Sequence, residues 1–466
     1  MKTQSNVKKN IYIHIEFLSR ELASHILTSI FLTKKNFRVY LGDGYSLKKL
    51  LVLKNNKGGI FITKGNLNKK ISSLVKKKCE KIISLDQEIT PGFRDEFYKD
   101  FIKTRYSKNI KNIDLFLCNN SQIKRNLIKV LKINKNKVIE TGWPRFDLYR
   151  KEFRDLYKHQ IKKLIKKYRK FYLFNSDFGI LTDEEFKDKK KFLENEINKG
   201  ILKKYPNIIN IVLPFYNVKD FQNFRNFLKK IESKKIPKII FRPHPAESLD
   251  EWEKIKKLNP KFIIDKPIND VTPIILASNG LLHRGCTTAF QSLIFNKKTA
   301  YLNLSNGVKK TNEFRSVLYD SSHRINSIQD LNSWFKKKNK VTNVKKILKK
   351  LNMKKKYSCE IIAEHLDNLN ITKEKKHNQF QLYSETEIRM LSYKNLVYDF
   401  FSFLSLVKQR NYFKKGIQTK IGKNFNIYTI NSYINFFKKK LKYKQKIKVR
   451  KITENLFELD SNSEII

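Results

Sequence analysis

The sequence predicts an α/β chain: two Rossmann-like, doubly wound domains facing a cleft, followed by a basic, mainly helical C-terminal extension. Short apolar runs alternate with helical stretches at intervals of roughly 20–30 residues, the pattern of parallel strands joined by crossover helices. That series stops at a strongly basic helical stretch, 147–170, and starts afresh at Phe171. Apolar residues make up 40% of the 466 and aromatics 12%, enough to fill two cores, so wholesale disorder is excluded despite the charge. The expected divisions are 1–165, 166–345 and 346–466.

In the first series IYIHIE (11–16) reads as a buried strand and Leu18 to Thr33 as a helix. FRVYLG (37–42) is a second strand, ending in the turn Gly42-Asp43-Gly44. Helical stretches at 45–55 and 67–78 alternate with strands IFIT (60–63) and KIISL (81–85). DLFLC (114–118), a Lys-faced amphipathic helix over 120–132 and VIET (138–141) complete the series. The second opens on FYLFNS (171–176), a helix around 187–203, the apolar run IINIVLPF (208–215) and a helix at 219–231. PKIIFRPHP (237–245) is a strand ending in a loop, followed by a helix near 249–257, strand KFIID (261–265) and a short helix at 270–276. GLLH (280–283) runs through Arg284-Gly285-Cys286 into a helix at 287–295, and TAYLNL (299–304) closes the sheet. Beyond Ser327 the chain turns helical and basic, with a loop around 371–382 and apolar-basic stripes FFSFL (400–404) and INFFKKKL (434–441).

Composition narrows the function classes. Against 43 acidic residues stand 99 basic ones, a net charge of +56, and 82 of the 99 are Lys rather than Arg. Asn, Ile and Phe are abundant too, as in a chain encoded by A- and T-rich codons, so part of the lysine is solvated surface without a ligand. Such a surface still draws the chain toward anionic lipid. A nucleic-acid-binding protein would gather its cations on one face with interleaved aromatics, whereas here Lys is spread over nearly every segment, so no nucleic-acid partner is expected. The four cysteines stand far apart, without CxxC pairs or a His at ligand spacing, so neither a disulfide framework nor a metal site is expected. No run of 18 apolar residues suits a spanning helix and no secretory signal is legible, which makes a reducing cytoplasm the simplest compartment.

Candidate site residues stand where strands end. Arg242-Pro243-His244-Pro245-Ala246-Glu247 follows an apolar strand, and its prolines fix the backbone. Arg242 and His244 suit a phosphate or carboxylate, and Glu247 a ribose or base; the alternative is a rigid loop with a solvated His. His283-Arg284-Gly285-Cys286-Thr287-Thr288 again runs from strand to helix. Gly285 permits a tight turn, and the threonine hydroxyls suit either an anion or a plain helix cap. Together the two segments suggest a nucleotide-phosphate pocket. In the first series Glu16 and Glu21 are candidate general bases, with an ordinary pairing of Glu16 to Arg20 as the alternative. Asp86 and Glu88 are their rivals. Gly142-Trp143-Pro144 is a fixed turn, more an elbow packed by Trp143 than a ligand contact. Asp43 forms no metal-binding DxD.

Taken together, RPHPAE with Trp252 downstream, HRGCTTAFQSL, TGWPRFDL and FYLFNSDFG resemble the bacterial surface carbohydrate biosynthesis proteins, over about residues 11–370. These are distantly similar to the GT-B glycosyltransferases that build capsule and lipopolysaccharide. The resemblance implies an N-terminal acceptor domain and a C-terminal nucleotide-donor domain. It makes His244-Pro245 and Thr287-Thr288 donor-site residues, and sets Arg20-Glu21-Leu22 and Asp86-Gln87-Glu88 on the acceptor side. Gln87 stands where an acid is expected.

The function expected from these readings is a metal-independent, cofactor-free transferase of surface polysaccharide assembly. Its donor would be a nucleotide-activated sugar, CMP-linked as first choice, and its acceptor a lipid-linked or other oligosaccharide. Glu16 or Glu21 would deprotonate the acceptor, while Arg242, His244 and the Thr287-Thr288 helix start stabilise the leaving phosphate. The basic tail (384–450) would hold the protein at the inner face of the plasma membrane, or pack back on the lobes. A sugar-nucleotide epimerase on the same fold and a non-catalytic assembly protein are the competing expectations.

Overall fold

The structure, a computed structural model, describes residues 8–53, 57–65, 67, 69–87, 102–103, 106, 110–178, 218–244, 247, 249–265, 270–304, 313–336, 347–349, 351–353, 355–373 and 425–461. The helix expected at 187–203, the run 208–215, the stripe 400–404, Glu88 and Pro245 lie outside them. The chain divides into two units, with joins between Phe153 and Arg154 and between Asn352 and Met353, and with Ile102 and Lys103 belonging to the second. The sequence had placed them at 165/166 and 345/346. The difference follows from packing. Helix Lys158–Tyr168 lies on helix Thr272–Ala277 in the second unit, whereas helices Ser358–Asp367 and Ile427–Leu441 lie on helix Leu18–Lys34 in the first.

In the first unit six strands run parallel: β1 (Lys9–His14), β2 (Phe37–Gly42), β3 (Ile60–Thr63), β4 (Lys81–Leu85), β5 (Leu115–Cys118) and β6 (Val138–Glu140). Their order is 2-1-3-4-5-6, which reverses between β1 and β3. The central strands are buried on both faces and therefore read as continuous apolar runs rather than as alternations. Helix Leu18–Lys34 is buried nearly all round, because two further helices cover the side that turns away from the sheet. Its Ser24, Thr28, Ser29 and Thr33 stay satisfied there by donating to carbonyls three or four residues back.

The second unit's strands are β7 (Phe171–Asn175), β8 (Lys238–Arg242), β9 (Phe262–Ile264), β10 (Leu281–His283), β11 (Thr299–Leu302) and β12 (His323–Ile325), all parallel. The order 12-11-10-7-8-9 is the 3-2-1-4-5-6 arrangement counted from β7, and it reverses between β7 and β10. The abundance of Phe finds its use here. Phe174, Phe178, Phe221, Phe224 and Phe241 stack around a fully buried Trp252. The strand β12 was not foreseen: three residues, His-Arg-Ile, give no periodicity to read.

Beyond residue 346 the described chain adds the helices expected of it and, in addition, a hairpin. Strands β13 (Ile447–Thr453) and β14 (Leu456–Ser461) extend the first sheet antiparallel at its β2 edge. The physical reason lies in β2, whose residues are all buried and whose outer edge needs a partner. Gly42 is fitted to this: a Cβ there would stand 2.7 Å from Leu456 Cδ1 and 3.1 Å from the Asn455 carbonyl. Asp460 on β14 pairs with both Lys8 and Arg38, whose side chains are 1% and 3% exposed. Among the described residues no helix is long and apolar enough to cross a membrane.

Candidate functional site

Ligands of doubly wound sheets sit outside the carboxyl ends of the strands where the order reverses. In the second unit that point lies between β7 and β10. The segments at 242–247 and 284–288 leave β8 and β10, the two neighbours of β7, and the end of β7 bonds to both. Asn175 donates to Thr288 Oγ1 at 2.7 Å, and Ser176 Oγ donates to Glu247 Oε1 at 2.7 Å. The sequence had quoted FNS in a resemblance without assigning it a site; the reversal at β7 was the signal.

The expected donor residues occupy distinct places around this point. His244 is exposed, and its backbone N–H donates to Glu247 Oε2 at 3.0 Å. The same oxygen accepts from the buried Trp252 indole at 3.1 Å. Glu247 is itself buried, so its carboxylate staples the loop, where the sequence had it receiving a ribose or base. Arg242 is held by Asp265 at 2.7 Å, and Arg284 by Asp220 while lying 4.1 Å from the Phe178 ring. Both guanidiniums thus meet a carboxylate that sequence reasoning did not single out.

His283 is interior. Its Nδ1 accepts the Gly285 N–H at 3.1 Å, so the proton resides on Nε2, which donates to Ser322 Oγ at 2.9 Å. Burial pushes its pKa down to about 3, which keeps it neutral and fixes the turn. Within the segment expected to bind the donor, its ring thus lies in the interior. Gly285 has φ of +126°, a conformation that glycine alone adopts without strain. Cys286 Sγ lies beside Thr288 Oγ1, and burial raises its thiol to about 12. Thr287 is exposed and makes no side-chain cap bond to its helix.

The first unit has its own polar cluster at the reversal between β1 and β3. A small pocket there is lined by His14, Glu21, His25, Thr63, Lys64 and Gln87. Glu21 Oε2 accepts the backbone N–H groups of Glu16 and Phe17 at 2.8 and 3.2 Å, closing the turn after β1. The buried Lys64 ammonium bridges Glu16 at 2.9 Å and Glu21 at 3.0 Å. The sequence had offered Arg20 as a partner for Glu16 and had missed Lys64, which arrives from the end of β3. Asp86 is buried and accepts from the Tyr106 hydroxyl at 3.0 Å. Gln87 accepts the Arg145 N–H at 3.2 Å, tying the turn after β4 to the one after β6, where Trp143 packs on Phe146 at 5.1 Å.

His14 and His25 complete this pocket, and neither was foreseen as a site residue. Burial lowers the pKa of both, that of His25 to about 4, against the opposing pull of Glu21. The turn Gly42-Asp43-Gly44 serves the pocket. Asp43 accepts the Ser46 N–H at 2.6 Å to begin the next helix, and a Cβ on Gly44 would stand 3.0 Å from His14 Nε2. Among the described residues no three His, Cys, Asp or Glu side chains gather as a metal site.

No protein-family model and no curated protein matches the chain. Solved structures give loose likenesses. The UDP-GlcNAc 2-epimerase of Methanocaldococcus jannaschii, in complex with UDP-GlcNAc and UDP, is 13% identical over 77% of this chain and 99% of its own, with a TM-score of 0.43. The UDP-N-acetylglucosamine 2-epimerase of Rickettsia bellii is 14% identical over 78% of this chain and 98% of its own, at 0.42. The wall teichoic acid polymerase TagF is 14% identical over 79% and 90%, at 0.39. Likenesses this loose say nothing about activity.

Proposed function

We propose that this protein is a glycosyltransferase of surface polysaccharide biosynthesis. It uses a nucleotide-activated sugar, CMP-linked as first choice, and passes it to a lipid-linked or oligosaccharide acceptor at the cytoplasmic face of the membrane. The observation that carries the reading is the meeting of the 242–247 and 284–288 segments around Asn175 and Ser176, at the reversal point of the second sheet. Exposed His244 and Thr287 offer donors to a phosphate there, while Arg242, Arg284, Glu247 and His283 hold the two segments in place.

The test is thermal stabilisation of the full chain by a panel of nucleotides, followed by incubation with the matching nucleotide sugars. A cytidine nucleotide should raise the melting temperature in the native protein and not in His244→Ala. No response to any nucleotide would end the proposal. Conversion of a nucleotide sugar without any acceptor would replace it with an epimerase.

A further inference from the structure

The basic helix Lys158–Tyr168 of the second unit has no part in the site described above. Residues 158–170 hold six Lys and one Arg and no acidic residue. We infer that the lysine face of this helix docks the protein on an anionic lipid bilayer. The surface lies in the second unit alone. It deepens the membrane location proposed above, and it rests on the transferase reading only for the reason that a membrane is visited.

The helix sorts its residues by side. Half-buried Ile161 and Leu164 and buried Tyr168, three and four residues apart, share one side, and the helix packs on helix Thr272–Ala277. Lys158, Lys162 and Lys166 follow one another at four-residue spacing, with Lys163 and Lys167 beside them. At about 3.6 residues per turn these five lie opposite the buried side. All five are exposed. Their charge is not neutralised within the protein. Among the described residues Lys158, Lys162, Lys163 and Lys166 have no ion-pair or hydrogen-bond partner. Asp265 draws on Lys167, but its carboxylate already holds Arg242 at 2.7 Å. The acids nearest in sequence, Glu152 and Asp155, precede the helix, and exposed Arg169 and Lys170 carry the positive run past its end.

The make-up of the face selects the partner. Protein–protein interfaces are depleted in Lys and enriched in aromatic residues and Arg. Single-stranded nucleic acid is held on aromatic platforms, and a phosphate in a fixed geometry by the planar fork of Arg. Residues 158–167 contain no Phe, Tyr, Trp or Arg. A row of compact ammonium groups on flexible stems suits a fluid layer of anionic headgroups, which asks for charge rather than for a set geometry. Ile165 stands 48% exposed at the border of the row, an apolar side chain placed to enter the headgroup layer.

Co-sedimentation of the full chain with vesicles tests this, using phosphatidylcholine with about one-third phosphatidylglycerol against phosphatidylcholine alone. The native chain should bind the anionic vesicles, leave them at about 1 M salt, and ignore the neutral ones. The combined change Lys158→Gln, Lys162→Gln, Lys163→Gln and Lys166→Gln should weaken binding roughly 100-fold or more, at about fivefold per lysine. The same four positions changed to Arg should bind as the native chain does. A control removes the same net charge from four exposed lysines elsewhere in the second unit: Lys230→Gln, Lys238→Gln, Lys257→Gln and Lys336→Gln. It should stay within about threefold of native. Both Gln variants should melt with the native chain, which separates lost docking from lost folding. Equal losses in the two Gln variants would overturn the inference, as would a native chain that ignores anionic vesicles. So would an RNA oligonucleotide that displaces the vesicles from these four lysines. The nucleotide-induced melting shift should be the same in the helix variant as in the native chain. Vesicle binding through the helix without any nucleotide response would remove the transferase and leave the docking surface standing.

Discussion

Replacing Glu247 tests whether the loop that follows β8 in the second unit is held by one buried carboxylate. Its two oxygens receive Ser176 Oγ, the Trp252 indole and the His244 N–H. Glu247→Ala strands the indole and the backbone N–H, each at about 1–3 kcal/mol, and removes the Ser176 bond. Part of that is returned because a carboxylate no longer has to be desolvated, so the expected loss is about 3–5 kcal/mol. Glu247→Gln should cost only about 1–2 kcal/mol. Its amide oxygen can take over Trp252 and His244, and its NH2 can donate to Ser176, whose hydroxyl rotates to accept. Urea denaturation followed by tryptophan fluorescence suits the measurement, because Trp252 and Trp334 both lie in the second unit's core. Stabilisation by nucleotide should disappear in the alanine variant and survive in the glutamine one. An alanine variant within about 0.5 kcal/mol of native would refute the staple.

Two further outcomes follow from the buried charges and imidazoles. His25 and His283 have pKa values pushed down to about 4 and about 3, so below pH 6.5 the unfolded chain takes up protons that the folded chain refuses. Stability should be highest above that pH and fall on acidification by about 1.4 kcal/mol per pH unit for each group, in both units. Urea midpoints at pH 7, 6 and 5 check this, and a flat profile contradicts it. Asp460→Ala leaves Lys8 and Arg38 buried without their shared carboxylate. The first unit should lose about 3–5 kcal/mol, while the Trp252 and Trp334 transition stays in place. A shift of that second transition instead would show that the hairpin does not act on its own sheet.

Much of the fold was legible because its strands are short, apolar and spaced by helices. IYIH, FRVYL, IFIT, KIISL and LFLC are buried on both faces, and continuous apolar runs of that length have few other uses. The segments at 242–247 and 284–288 were legible as strand-end loops because Pro, Gly and Thr punctuate the ends of apolar runs. The roles inside those loops were not. His283 and Glu247 look like ligand contacts in a string of letters; burial and the donors around them turn them into supports. The turn Gly42-Asp43-Gly44 was legible only as the end of a strand, yet each glycine makes room for a partner, Leu456 or His14. Neither neighbour is near in sequence, so no local rule reaches them.

By itself the sequence determined two parallel α/β sheets, the places where their chains leave the strand ends, and the aromatic content of the second core. Those follow from local periodicity and composition, which act within a few residues. Only the tertiary structure decided that the C-terminal hairpin closes the first sheet at β2, that Lys64 bridges Glu16 and Glu21, and that two neutral histidines share their pocket. Each of these depends on which strands become neighbours. Strand order is set by packing across dozens or hundreds of residues, and it leaves no periodic trace along the chain.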